Sequence, residues 1–386
     1  MTEIAVRKEL LVWARKHRGL SVDEAAEKLS VTPEEVLALE SGAAKLNLTM
    51  FRRYSERFRV PLATLLRQTA PPPPVKPRDF RTTDGRPAKL GFEALLAVSY
   101  AETVEHQILE LVDAHAAPAA PVLPRLSLGE DAAVAGERER QRLGVSVARQ
   151  FGWSTDEAFR MWRTLIEGVG AYVLQRKFAL DDCKGFTLFR DPNAPIIMLN
   201  KSETYEPAKI FTLVHEYAHL LLRQPGISDL NDANPVEAFC NRFAAGFLIP
   251  RGALMELLQN WPDEPVEWAR GKVTDWARKL KVSQQALALR LEELGLAPAG
   301  FYGRLIAQQQ HVLRTDAEGG NYVLTQVSEV GYRFTNAVLD AEDAAKISTV
   351  EASDMLAIAP RHFGVIKDRL EQQFATAGVG VGGVHR

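Results

Sequence analysis

Apolar residues recur with helical spacing in the N-terminal part of the chain, in short runs that polar capping residues separate. One run begins after Ser21, which has Glu24 three residues on, and the next begins after Thr32, which is followed by Pro33. Serine with glutamate three residues later forms a capping box, and proline is favoured in the first helical position. The pattern therefore predicts a bundle of short helices. Two more helices are predicted over 49–58 and 61–68.

The middle of the chain has short apolar runs bounded by turn residues, the pattern that is typical of buried β-strands. Three strands are predicted, over 172–178, 185–190 and 196–199. Helical spacing returns after Glu203 and continues towards the C-terminus, apart from a short strand that we expect over 322–324. The predicted fold class is multidomain: an all-α module, then an α+β domain with a small sheet, then a mainly helical C-terminal region.

Prolines and glycines indicate where these regions end. Four consecutive prolines in APPPPVKP cannot continue a helix or a central strand, so this segment is interpreted as a spacer. The Ala/Pro stretch over 114–124 is either a surface loop or a second boundary. The predicted segments are 1–69 (helical module), 70–87 (proline-rich linker), 88–262 (α+β domain), 263–300 (helical segment), 301–374 (helical C-terminal region) and 375–386 (flexible tail).

Composition narrows the class of protein. With 46% apolar and 25% charged residues, the 386-residue chain has the profile of an ordinary globular protein of several domains. Its 47 basic and 49 acidic residues give a net charge of -2, so no global field attracts nucleic acid or membranes. Cys183 and Cys240 are too few for a disulfide scaffold. Because the N-terminus lacks the apolar core of a signal peptide, we expect a cytoplasmic protein without membrane contact.

One predicted helix carries the candidate chemistry. The sequence IFTLVHEYAHLLLR is strongly apolar and is interrupted by His215, Glu216 and His219. Histidines four residues apart project from one helical face and can bind one Zn²⁺. Glu216, rotated by about 100° from His215, can act as general base on a metal-activated water without being a ligand. A chance match would bury three ionisable groups at a high cost, so we predict one zinc ion per chain.

The next predicted helix offers a third ligand. A catalytic zinc usually has three protein ligands. Asn234 precedes this helix, Glu237 lies in its first turn, and Asn241 follows one turn later on the same face. We predict that Glu237 binds the metal and that Asn241 orients a ligand histidine. The alternative for Glu237 is a solvated carboxylate at the helix start. Cys240, about 300° around the helix from Glu237, is expected to pack as a small hydrophobe.

Two further expectations concern packing and substrate. The small residues around Gly246 should let this helix pack closely against the histidine helix. The strand over 196–199 is expected to pair with an extended substrate as an added strand. No oxyanion donor is identified. The candidate tyrosines are Tyr205, Tyr217, Tyr302, Tyr322 and Tyr332.

The segment FTLVHEYAHLLL, followed by VEAFCNRFAAGFLIP, resembles the ImmA/IrrE family of zinc metallo-endopeptidases, and IIMLN resembles the strand before their metal helix. The resemblance implies a gluzincin-like metallopeptidase domain over 88–262, with His215, His219 and Glu237 as zinc ligands and Glu216 as base. Members are implicated in cleaving helix-turn-helix repressors, which derepresses mobile-element, DNA-damage or stress genes. An XRE-type repressor is therefore the implied substrate.

The segment GLSVDEAAEKLSVTPEEVLALESG resembles an XRE-type helix-turn-helix, which implies an N-terminal domain that contacts double-stranded DNA. The tentative contact residues are Ser30, Thr32 and Lys45. The expected recognition helix, however, offers Glu34 and Glu35 and no base-reading Arg, Lys, Asn or Gln. With 12 basic and 9 acidic residues, the module carries a net charge of only +3. DNA binding and docking of a sibling repressor therefore both stay open.

The segment DWARKLKVSQQALALRLEELGL, 275–296, resembles the second helix-turn-helix of some members, but a helical hairpin along one wall of the cleft is favoured. Two functions follow from the sequence. The first is a regulated endopeptidase that cleaves a repressor. The alternative is a DNA-binding regulator whose metallopeptidase fold is a sensor. Metal occupancy, single-stranded DNA and cleft opening are all open as the activating signal.

Overall fold

The computed structural model describes residue 4 and residues 6–71, 78–79, 90–114, 121–224, 226–228, 234–307 and 322–379. The chain forms two compact units. The first unit consists of Met1–Lys76, Ala88–Glu102 and Lys177–Asp182. The second unit consists of Pro77–Pro87, Thr103–Arg176 and Cys183–Arg386.

The first unit is built from short helices with the predicted caps. They are α1 (Lys8–His17), α2 (Val22–Leu29), α3 (Pro33–Ser41), α4 (Leu48–Phe58) and α5 (Leu62–Leu65). Ser21 and Glu24 form a capping box at α2, and Thr32 and Glu35 form one at α3. The core between the helices includes Leu11, Leu29, Val36, Tyr54 and Phe58. The predicted helical bundle is thus confirmed.

Two arginines of this unit tie its helices together. Arg15 on α1 forms a bidentate pair with Glu40 on α3, with both N···O distances at 2.7 Å. Arg18 is buried and donates to the carbonyl oxygens of Phe58 and Arg59 at the end of α4, each at 2.8 Å. Charge-assisted bonds of this kind are strong and geometrically specific. They hold α3 and α4 at fixed positions relative to α1.

Helix α6 (Phe92–Asp113) begins in the segment that belongs to the first unit and ends in the second. The strands are β1 (Arg78–Asp79), β2 (Tyr172–Arg176), β3 (Gly185–Leu188), β4 (Ile196–Asn200) and β5 (Gly226–Ser228). The remaining helices are α7 (Ala132–Arg142), α8 (Val147–Gly152), α9 (Thr155–Gly168), α10 (Glu206–Leu222), α11 (Pro235–Leu248), α12 (Arg251–Leu258), α13 (Arg270–Leu280), α14 (Gln284–Glu293), α15 (Phe301–Ala307), α16 (Tyr322–Val330), α17 (Tyr332–Asp343), α18 (Thr349–Leu356) and α19 (Phe363–Ala377), with a 3₁₀ turn at Pro360–His362.

The strands form one sheet in the order β1-β5-β3-β4-β2. Strand β4 is parallel to β2 and antiparallel to β3, so both of its edges are already paired. The prediction that β4 accepts a substrate strand was therefore wrong: the sequence located the strand but did not reveal its central position. The three predicted strands are present, whereas β1 and β5, of two and three residues, are too short to give a pattern.

Two more expectations are corrected. The expected strand over 322–324 is the first turn of α16, because Val327 and Val330 are buried at helical spacing. Helix α11 packs on the histidine helix α10 as expected, but its Gly246 lies against α7. A Cβ on Gly246 would lie 2.3 Å from the Ala133 carbonyl oxygen, and a Cβ on Gly136 would lie 2.2 Å from the Phe243 carbonyl oxygen. Glycines therefore bring the backbones of α7 and α11 into direct contact.

The predicted fold class is confirmed: a helical N-terminal region, a small sheet within an α+β domain, and a mostly helical C-terminal region. The core of the second unit surrounds α9, α10 and α11, where Trp162, Tyr217, Phe243 and Phe247 are fully buried. Within the described residues, no helix has both the length and the apolarity that a membrane span requires.

Candidate metal centre

Helix α10 holds the two histidines in the centre of the second unit. It is buried along most of its length, with Ile210, Leu213, Val214 and Leu221 in the surrounding core. It ends at Arg223, which takes the left-handed conformation with φ 56°. The apolar packing around the helix fixes the positions of its few polar side chains.

His215, His219 and Glu237 converge at one point, and all three are fully buried. The Nε2 atoms of the two imidazoles are 3.1 Å apart. The Glu237 carboxylate, from the first turn of α11, brings Oε2 to 3.2 Å from Nε2 of His215 and Oε1 to 3.2 Å from Nε2 of His219. Glu237 is therefore not the solvated helix-start carboxylate of the alternative interpretation.

Hydrogen bonds at the other ring nitrogens determine the tautomers. Nδ1 of His215 donates to Oδ1 of Asn241 at 2.9 Å. Nδ1 of His219 donates to the carbonyl oxygen of Gln224 at 2.9 Å, a partner that the sequence did not suggest. A neutral imidazole that donates through Nδ1 has a lone pair on Nε2. Both lone pairs are thus directed towards the Glu237 carboxylate and towards each other.

Electrostatics favours the charge states that a metal requires. Burial lowers the pKa of His215 below its ordinary value, so this imidazole is neutral near pH 7. Burial alone would raise the pKa of Glu237, but the contacts with His215 and His219 outweigh it and bring the pKa to about 2. Neutral imidazole and ionised carboxylate are the ligand forms for divalent metals.

The donor set fits a divalent cation. Two nitrogen lone pairs and two carboxylate oxygens meet in a fully buried space, and neither carboxylate oxygen accepts a conventional hydrogen bond. Four electron-pair donors at such distances repel one another unless a cation lies between them. Imidazole nitrogen and carboxylate oxygen are common zinc ligands. His215, His219 and Glu237 are therefore the residues that could hold the metal.

Cys240 lies nearer to the histidines than we expected. Its sulfur and the ligand nitrogens of His215 and His219 all lie within 4.8 Å of one another. Residues three apart on a helix share a face, so the 300° rotation from Glu237 does not carry Cys240 away. Burial, together with the charges of Glu237 and Glu216, raises the pKa of the Cys240 thiol well above its ordinary value. The two carboxylate oxygens of Glu237 each lie 3.2 Å from an imidazole Nε2, so the geometry favours Glu237 as the third ligand.

Glu216 is fully buried beside the two histidines and faces strand β3. A Cβ placed on Gly185 would lie 3.1 Å from both Cγ and Oε1 of Glu216. The absence of a side chain at Gly185 therefore makes room for the Glu216 carboxylate. This role of Gly185 could not be predicted from the sequence, because a glycine at the start of a strand is a common turn residue.

The candidate oxyanion tyrosines Tyr217 and Tyr302 lie in different environments. Tyr217 is fully buried, donates to Oε1 of Glu139 at 2.6 Å and accepts from Nη2 of Arg142 at 3.0 Å. This network attaches α10 to α7 and leaves Tyr217 no role towards a substrate. Tyr302 lines a cavity whose lining also includes Asn241.

The segment 275–296 forms the turn and helices of α13 and α14, with Ser283 as the N-cap of α14. Leu287 and Leu291 are buried in the core of the second unit. On its other side, α14 lines the cavity that includes Asn241. This arrangement favours the cleft-wall interpretation over a second DNA-binding element.

In the first unit, the tentative DNA contacts Ser30, Thr32 and Lys45 are all exposed. The hydroxyl of Thr32 accepts from the backbone N–H of Glu35 at 3.3 Å, so it caps α3. Ser30 has a left-handed backbone with φ 54°. Helix α3 itself, PEEVLALES, contains no basic residue.

Comparison with known protein families gives two matches. Residues 166–292, which include the four side chains of the metal centre, match a peptidase family described as the IrrE N-terminal-like domain. Residues 11–65 match a family described as helix-turn-helix. Both resemblances drawn from the sequence are thereby confirmed. Searches of curated proteins and of solved structures find no significant match.

Proposed function

We propose that this chain, in which a helix-turn-helix domain is fused to an IrrE N-terminal-like domain, is a zinc-dependent endopeptidase that cleaves a helix-turn-helix repressor. The observation that carries the proposal is the convergence of two imidazole nitrogens and one carboxylate beside a second carboxylate, Glu216. Cleavage of the repressor would derepress the stress, DNA-damage or mobile-element genes that it controls.

In this proposal His215, His219 and Glu237 hold one zinc ion. A bound zinc ion supplies Lewis acidity, which polarises a peptide carbonyl and acidifies a water molecule. Glu216 would act as general base, accepting a proton from the attacking water and returning it to the leaving amine. Asn241 and the Gln224 carbonyl keep the Nδ1 protons in place, so that both Nε2 atoms stay available.

The burial of the four side chains supports low basal activity, as expected for a protease that destroys a regulator. An activating signal is therefore part of the proposal. Single-stranded DNA is the signal to test first, since a DNA-damage response would produce it.

The experiment is co-expression of the chain with an XRE-type repressor, comparing wild type with Glu216→Gln by gel and mass spectrometry. Glutamine keeps the shape of Glu216 but cannot accept the proton, so we expect cleavage to stop and the zinc content to stay constant. A parallel reaction with purified protein adds single-stranded DNA. Full cleavage by Glu216→Gln, or a purified wild type that binds no zinc, would contradict the proposal.

A second candidate function is a DNA-binding regulator whose metal centre is a sensor. The observation that favours it is the helix-turn-helix match over 11–65, with both predicted helix caps formed. The two candidates differ in cells. If Glu216→Gln leaves gene regulation unchanged while deletion of 1–69 abolishes it, the sensor is the better description.

A further inference from the structure

A cavity of about 580 Å³ adjoins the metal centre in the second unit. It is lined by residues of α10, α11 and α14, and one of them, Asn241, contacts His215. Its apolar surface comes from Phe211, Ala245, Ala286 and Leu289. Leu289 is 50% exposed although it is a large apolar side chain. An apolar concave surface next to a candidate catalytic centre is a typical substrate-binding site.

The acidic groups of this cavity already have partners. Glu293 accepts from Nη1 of Arg290 at 2.8 Å, and Arg290 also donates to Glu137 at 3.0 Å. Glu292 accepts from the backbone N–H groups of Gly300 and Tyr302. These carboxylates are therefore committed to holding α14 and the start of α15 in place.

Two basic residues also line the cavity, and their contacts differ from those of the acidic residues. Lys184 lies immediately before Gly185 at the start of β3, and Arg242 follows Asn241 on α11. Within the part of the chain that the structure describes, neither side chain has a hydrogen-bond or ion-pair partner. Three basic residues (Lys184, Arg242 and Arg290) and two acidic residues (Glu292 and Glu293) line the cavity, so its lining keeps a formal net charge of +1. Charge complementarity then favours an anionic group on whatever occupies the apolar surface.

We propose that this cavity is a substrate subsite for an acidic peptide segment: an apolar side chain packs on Phe211 and Leu289, and a neighbouring Asp or Glu pairs with Lys184 and Arg242. This inference rests on the proposed function, because it names the class of polypeptide that the same centre would cleave. The positions of Lys184 beside Gly185 and of Arg242 beside Asn241 put the acidic residue close to the bond that is cut.

The test uses the full-length, zinc-loaded chain and a library of peptides from digested proteome. We expect an excess of Asp or Glu within a few positions of the cleaved bonds. Arg242→Glu and Lys184→Glu should each lower cleavage of acidic peptides by about tenfold, since a like charge replaces the partner. Arg369→Glu is the matched control, because Arg369 is exposed on α19 and does not line the cavity.

A second measurement does not need turnover. The Glu216→Gln variant is immobilised with zinc and mixed with the same library, and the retained peptides are sequenced. Acidic peptides should be enriched, and adding Arg242→Glu should remove the enrichment. Folding of each variant is checked by circular dichroism and by zinc content.

The outcomes separate the two proposals. If the wild type cleaves peptides without acidic preference, or if both charge reversals leave the preference intact, the subsite is wrong and the peptidase stands. If the wild type cleaves peptides and Glu216→Gln gives the same products, the peptidase is wrong. Retention of acidic peptides that depends on Arg242 supports the subsite in either case, and its absence contradicts the subsite.

Discussion

Two hydrogen bonds set the protonation of the candidate metal ligands, and the one to Asn241 can be tested separately from catalysis. Asn241 accepts the Nδ1 proton of His215. We expect Asn241→Ala to weaken zinc binding by about 10- to 100-fold, because the ring loses the partner that fixes its tautomer and orientation. Competition with a chromogenic chelator measures the zinc affinity.

The control for this prediction is Gln372→Ala, an amide removed from an exposed position on α19. It should leave the zinc affinity unchanged. If Asn241→Ala binds zinc as tightly as the wild type, then Asn241 does not orient His215.

Gly185 leaves space for the Glu216 carboxylate, so a side chain at this position should displace Glu216. The Cβ of Gly185→Ala would lie 3.1 Å from Oε1 of Glu216 and 3.0 Å from the backbone oxygen of Met198, which cannot move away. We expect the Glu216 carboxylate to shift and the rate of peptide cleavage to fall by about 100-fold, while zinc stays bound. Cleavage rate and zinc content are measured on the same preparation. An unchanged rate would mean that the position of Glu216 does not depend on this glycine.

Among the helices, the contact between α7 and α11 stabilises the position of the helix that carries part of the candidate metal centre. Helix α11 carries both Glu237 and Asn241, and its backbone touches α7 at Gly246. A methyl group in Gly246→Ala would force the helices apart. We expect a loss of about 1–3 kcal/mol in the free energy of unfolding, measured with urea, and a weaker zinc affinity.

Gly252→Ala provides the comparison, because no atom lies within 4 Å of its added Cβ on α12. That variant should be equally stable or gain up to about 1 kcal/mol. Equal stability of Gly246→Ala and Gly252→Ala would show that the α7–α11 contact can relax without cost.

The elements that the sequence predicted correctly are those with a local signal. Ser21 and Thr32 cap their helices as expected, because a capping box depends on residues three positions apart. The two histidines and Glu237 could be proposed as one group because helical spacing and the usual number of zinc ligands limit the choice of residues. By contrast, the central position of β4, the contact of Gly246 with α7 and the role of Gly185 depend on residues far away in the chain. Such contacts leave no periodic pattern in a single sequence.

At the scale of the whole molecule, charge is divided unevenly along the chain. The module over 1–69 has a net charge of +3, and the whole chain has -2, so the remainder has -5. The region that matches the helix-turn-helix family thus lies in the positively charged part of the chain, although its helix α3 has no basic residue. DNA affinity should then depend on phosphate contacts outside α3 and should be weak and sensitive to salt.

Lys45 is exposed after α3, and its substitution tests whether DNA binding and peptide cleavage are separate activities. We expect Lys45→Glu to lower the affinity for duplex DNA and to reduce the slope of log K against log salt by about 1, because one phosphate contact is lost. Fluorescence anisotropy over a range of salt concentrations measures both quantities. Lys346→Glu, a charge reversal at an exposed position outside the first unit, should change neither.

Because the candidate metal centre belongs to the second unit, repressor cleavage by Lys45→Glu should equal that of the wild type. If Lys45→Glu instead reduces cleavage and leaves DNA affinity intact, the N-terminal domain docks the repressor protein and does not bind DNA through this residue.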